Sequence, residues 1–221
     1  MATSPKFQEE RRNTKTMNSE QLLEVVYHGR EERNIEYKQS VPWNNDYWKA
    51  KLTRTIIALS NIKDGGFLVI GVKDGTWAPE GMTDDHFNSF KQDDVQAYAN
   101  AHVKPTAQFT VSHVEDKGKK FVVIQVKEFD LYPVVCSKSG DGDFIAELHE
   151  GVFYIRALRM NESVAIKDTP ELSEVIDLAV DKWQLYQLNR NTRAGLAPSA
   201  PETKTEAAPK KTLGDFEKWL K

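Results

Sequence analysis

The sequence predicts an α/β chain of the α+β kind, with a mixed, largely antiparallel sheet flanked by helices. Three observations predict it. The apolar run FLVIGV at 67–72 has strand length and no alternation, which marks a central strand covered on both faces. The alternating runs QFTVSHVE and KFVVIQVKEF, joined by DKGK, read as a β-hairpin. The segments on either side of FLVIGV repeat apolar residues at helical spacing.

The elements follow in order. Residues 1–17 are polar and aperiodic and are expected to form a disordered arm before a domain at 18–190. Asn18 and Gln21 make a capping box, Met17 stands where it would staple to Leu22, and the helix carries Leu22, Leu23, Val25 and Val26 inward before stopping near Gly29. In NIEYK the two-residue period puts Ile35 and Tyr37 on one face and Glu36 with Lys38 on the other. From Asp46 to Lys63 a helix turns Trp48, Leu52, Thr55, Ile56 and Leu59 one way and Lys51 and Arg54 another, and Gly65 and Gly66 end it.

After FLVIGV, Asp74 sits in a turn before Gly75. One helix is expected from Thr83 to about His102, with Phe87, Phe90, Val95 and Tyr98 inward and Pro105 closing it. Beyond the hairpin, PVVCSK, DFIAEL and GVFYIRAL are expected to continue a meander. Thr169 and Pro170 open a last helix, in which Leu172, Val175, Ile176, Ala179 and Trp183 keep helical spacing to about Leu188. Residues 191–211 read as a flexible Ala/Pro/Lys linker. Residues 212–221, with Leu213, Phe216 and Leu220 on one stripe, read as a docking peptide for this domain, a second copy or another protein.

Composition narrows the function. At 221 residues the chain has room for one substantial core, and no stretch approaches the roughly 18 apolar residues of a membrane span. The opening MATSPKFQEERRNTKT lacks the apolar centre of an export signal, so a cytoplasmic protein is expected. Cys136 is the single cysteine and cannot form an intramolecular disulfide, and the five histidines show no zinc-ligand spacing. There is no GK[ST] to hold ATP phosphates. With a net charge of −3, any polyanion site has to be a local patch.

Three carboxylates mark the corners of the central stretch: Glu31, Glu36 and Asp74. Oxygen ligands at such positions suit a divalent ion that polarises a phosphate, while the plainer readings are a solvated Glu36–Lys38 pair and an ordinary turn at Asp74. Lys51, Arg54, Lys73, Arg156 and Arg159 offer a local basic surface. Arg156 reads equally well as a structural partner of a glutamate.

REERNIEYK, ALSNIKDGG, FLVIGV, KDG and GVFYIRA, in that order, resemble the Schlafen-type AlbA-like domain of animal Schlafen proteins and many bacterial and viral proteins, over roughly residues 18–180. The resemblance implies a divalent-metal-dependent endoribonuclease acting on structured RNA such as tRNA. Glu31, Glu36 and Asp74 would be the catalytic, metal-binding triad for Mg²⁺ or Mn²⁺. Lys38, Lys51, Arg54, Lys73 and Arg156 would contact nucleic acid. The alternatives are a non-catalytic DNA- or RNA-binding regulatory module and a complex-forming protein. Animal nucleases of the family pair two such lobes, so this single lobe is expected to gain its second from a homodimer or a protein partner.

Overall fold

The computed structural model describes residues 17–141, 147–159, 161–167 and 169–196. The arm before residue 17, most of DFIAEL, the linker past residue 196 and the docking peptide at 212–221 lie outside the described residues.

Helix α1 (Ser19–Val26) starts at the capping box expected for it: Asn18 accepts from the Gln21 backbone N–H, and the Gln21 side chain accepts from that of Asn18. Strand β1 (Ile35–Lys38) leads to α2 (Asp46–Ser60), which is capped by the Asn45 side chain. Strand β2 (Gly66–Ile70) then runs parallel to β1. Strands β4 (Phe109–Asp116) and β5 (Lys119–Val126) form the expected hairpin, and the four-stranded order is β1-β2-β5-β4 with β5 antiparallel to both neighbours. At the hairpin tip Lys117 and Gly118 both take positive φ, as a two-residue turn matched to strand twist requires.

Strand alternation divides the core in two. On one side of the sheet Ile35, Tyr37, Val69, Phe121 and Val123 pack with Leu22 and Val26 of α1. On the other, Leu68, Ile70, Val122 and Ile124 pack with Leu52, Ile56 and Leu59 of α2. Glu36 pairs in register with Leu68, so it is directed to the α2 side, opposite Ile35 and Tyr37.

The structure corrects two expectations. The helix expected over 83–102 is two helices, α3 (Asp84–Ser89) and α4 (Gln92–His102). Ser89 Oγ donates to the His86 carbonyl and accepts from the Trp43 N–H, while Phe90 leaves helical geometry and buries its ring against Trp43. Tertiary packing overrides periodicity at that point. Among the described residues the meander does not join the main sheet either. β3 (Val103–Lys104) pairs with β6 (Val135–Cys136), and β7 (Tyr154–Arg156) with β8 (Ser163–Ala165), as separate two-stranded sheets.

Helix α5 (Thr169–Arg193) opens where Thr169 and Pro170 are expected to start it and runs a little past Leu188. Val175 is buried and Leu178 and Ala179 pack on the core, whereas Leu172, Ile176 and Trp183 are exposed. A bidentate pair between Glu174 and Arg33 fixes which side of the helix faces inward. The chain divides into two compact units, Met1–Trp183 and Gln184–Lys221. In the second, Thr192 Oγ1 donates to the Leu188 carbonyl and Leu196 N–H to that of Asn191 at the end of α5. Among the described residues no helix is long and apolar enough to cross a membrane.

Candidate functional site

The buried end of β1 organises the site. Glu36 is 6% exposed, and an isolated carboxylate there would lose hydration without compensation. Two cations supply it. Lys38 Nζ holds Glu36 Oε1 and Arg156 Nη1 holds Glu36 Oε2. Arg156 is fully buried and uses its remaining donors on the protein: Nε to the Arg33 carbonyl at 3.0 Å, Nη2 to the Asn161 carbonyl at 2.7 Å, and Nη1 to Ser163 Oγ at 3.3 Å.

Arg33 returns the contact through its own Nε to the Arg156 carbonyl at 3.0 Å. Asn61, just past α2, binds the Val134 N–H and carbonyl and the Tyr154 carbonyl, which ties β7 to the helix end and so sets where Arg156 starts.

Glu31 stands beside this pair. Its Oε1 accepts from the Tyr37 N–H at 3.2 Å, and Asn161 Nδ2 donates to its backbone carbonyl. Burial first, and then the charge of Glu36, push the Glu31 carboxyl above its ordinary 4.5, against the opposing pull of the Tyr37 N–H, Lys38 and Arg156.

Above Glu36 opens a cleft of about 280 Å³, where Lys38, Lys51 and Arg54 meet Glu36 and Glu162 with the hydroxyl residues Thr55 and Ser163. Arg54 is paired with Glu147 at 2.9 Å. Lys51 differs. Its Nζ donates to Tyr47 Oη at 3.0 Å and lies 5.3 Å from the ring centres of both Tyr47 and Trp48, and among the described residues it has no carboxylate in ion-pair range. A larger hollow of about 460 Å³, lined by Trp43, Lys49, Lys91 and Tyr98, includes none of the candidate site residues named from the sequence.

The named residues therefore separate. Glu31, Glu36, Lys38, Lys51, Arg54 and Arg156 gather around one end of the sheet. Arg156 does so as the internal partner of Glu36, with no surface left to offer a ligand. Lys73 and Asp74 are exposed in the turn after β2, where Lys73 pairs with Glu80, and neither lines the cleft. Among the described residues no three His, Cys, Asp or Glu side chains are grouped to hold a metal ion. Both oxygens of Glu36 already carry cations and Asp74 stands apart, so the three carboxylates as placed do not fit Mg²⁺ or Mn²⁺. Sequence reasoning missed Arg33, Glu147 and Glu174, whose partners are far off along the chain, and Glu162, which lines the cleft.

The family model described as Schlafen, AlbA_2 matches residues 31–165, more than half of the sequence and all of the cleft. The chain belongs to the Schlafen AlbA_2 family. No curated protein matches the sequence. Among solved structures this Schlafen AlbA_2 chain is similar to the DIP2311 protein from Corynebacterium diphtheriae, at 14% identity and a TM-score of 0.45, over 66% of this chain and 26% of that one. It thus spans about a quarter of that protein. It is also similar to the N-terminal domain of a putative ATP-dependent DNA helicase RecG-related protein from Nitrosomonas europaea, at 24% identity and a TM-score of 0.40, over 57% of this chain and 84% of that domain.

Proposed function

We propose that this Schlafen AlbA_2 protein binds nucleic acid, RNA or DNA, by taking backbone phosphate into the cleft of Lys38, Lys51 and Arg54. Lys51 carries the reading. It is held there by aromatic rings and a hydroxyl, whereas Lys38 and Arg54 are matched to Glu36 and Glu147. A lysine lining a cleft with no carboxylate partner among the described residues is a charge available to phosphate, and phosphate contacts supply most of the affinity of such binding. Lys51→Glu is expected to weaken binding of RNA and DNA about tenfold at low salt, with Lys73→Glu close to wild type. Equal loss in both variants, or no binding by the wild type, would remove the cleft from the account.

A second reading is metal-dependent endoribonuclease action. The charge of Glu36, second to burial, raises the Glu31 carboxyl and marks the two as neighbours, and because Glu36 is held by Lys38 and Arg156 and Asp74 stands apart, this reading requires those partners to yield to the metal. Cleavage of tRNA that needs Mg²⁺ or Mn²⁺, stops with EDTA and disappears in Glu36→Gln would establish it. Intact tRNA under all of those conditions would leave binding as the function.

A further inference from the structure

Building on the phosphate-binding reading, we infer that the preferred ligand is a single strand with unstacked bases, and that Tyr47 and Trp48 form the surface on which a base stacks. Two independent observations lead there. The first is enclosure. Lys38 and Arg54 are mostly covered, with side-chain exposures of 14% and 25%, and they sit within a cleft of only about 280 Å³. A duplex carries its phosphates on the outside of a stiff, wide rod and cannot deliver one to the floor of such a cleft. A single strand can bend into it.

The second observation is the pair of aromatic rings against which Lys51, a residue of the cleft, rests. Tyr47 and Trp48 open helix α2 with ring centres 5.1 Å apart and planes at 72°, and both are partly exposed. The Lys51 ammonium rests over both. A phosphate entering the cleft competes for that ammonium with an ion pair that the rings and the Tyr47 hydroxyl do not offer. Drawing Lys51 inward uncovers ring surface beside the phosphate, where the attached base lands. Phosphate capture and stacking are thereby linked through one side chain, and the preference is for unpaired bases of either sugar, since every base has a face to stack.

The experiment is fluorescence anisotropy of the full chain with a labelled strand of about 12 nucleotides, as RNA and as DNA, alongside its duplex and an abasic strand of the same length. The wild type is expected to bind both single strands more tightly than the duplex or the abasic strand. Trp48→Ala should cost the single strands about tenfold and leave the abasic strand unchanged, while Trp48→Phe keeps most of the affinity.

Because Trp48 also packs on the core, thermal melts accompany each variant, and Tyr47→Ala gives an independent measure of the ring surface. Equal binding of single strand and duplex, or equal binding of base-bearing and abasic strands, overturns the inference while keeping the phosphate site. Binding of none of the four ligands overturns both.

Discussion

Glu36 answers to two cations inside the protein, and removing either changes more than one contact. Arg156→Met leaves Glu36 with Lys38 alone in a site that is 6% exposed, and it frees the Arg33 and Asn161 carbonyls that the guanidinium served. Breaking one side of a buried pair costs about 3–5 kcal/mol, which urea denaturation should register; the double variant with Glu36→Gln should lose clearly less than the sum of the single losses. Additive losses would mean that the two groups are not coupled. Glu31 makes the opposite prediction. Its folded pKa lies above 4.5, so between that value and the raised one the native state holds more protons than the unfolded chain. Stability due to this group is therefore present below pH 4.5 and is lost as pH rises through the raised pKa. Glu31→Gln keeps an oxygen for the Tyr37 N–H and removes the charge. It should melt higher than wild type at pH 7 and converge with it below pH 4.5. An unchanged difference across pH would disprove the linkage.

At the scale of elements, the tight joint between α2 and β2 is the most exacting. Gly65 has φ +67°, and a Cβ there would lie 2.2 Å from the Val126 carbonyl oxygen and 2.8 Å from the Glu128 nitrogen, both backbone atoms that cannot step aside. Gly65→Ala should cost about 3 kcal/mol or more, read as a fall in Tm. Gly75 is the control. Its φ is +74° but nothing lies within 4 Å of a Cβ, so Gly75→Ala should cost only the left-handed penalty of about 1 kcal/mol. Similar losses at both would show that crowding against β5 is not what requires Gly65. This joint was readable in the sequence as GG before an apolar run, and so were the capping box of α1, the central place of FLVIGV and the hairpin at Lys117–Gly118. Each depends on neighbours within a few residues. The break at Phe90, the two- and three-residue strands β3, β6, β7 and β8, and the inward face of α5 depend on partners far away, and strands that short show no period. The site divides the same way. Glu36 and Lys38, two apart on one strand, were visible as a pair. The glutamate that Arg156 serves is 120 residues away, and Arg33 and Glu174 are 141 apart, so nothing in either local pattern names its partner.

For the whole molecule, the net charge of −3 opposes a polyanion while the cleft attracts it, and salt separates the two. The general repulsion comes from charges spread over the surface and is screened beyond about 8 Å at physiological ionic strength. The attraction comes from contacts within hydrogen-bond range, and it weakens because bound counterions are no longer released to dilute solution. If phosphate takes Lys51 and also draws Lys38 and Arg54 from Glu36 and Glu147, about three phosphates are neutralised, and for a single strand the logarithm of the binding constant should fall with that of salt at a slope near −2. Between about 50 and 200 mM salt the affinity should then drop roughly 20-fold, and in Lys51→Glu the slope should become shallower by about 0.7 or more. A slope of about −5 or steeper would require contacts well beyond the cleft, supplied by another part of the surface or by a second copy. A flat response would mean that phosphate is not what the cleft holds, because no arrangement of lysine and arginine on a phosphate escapes the counterion term.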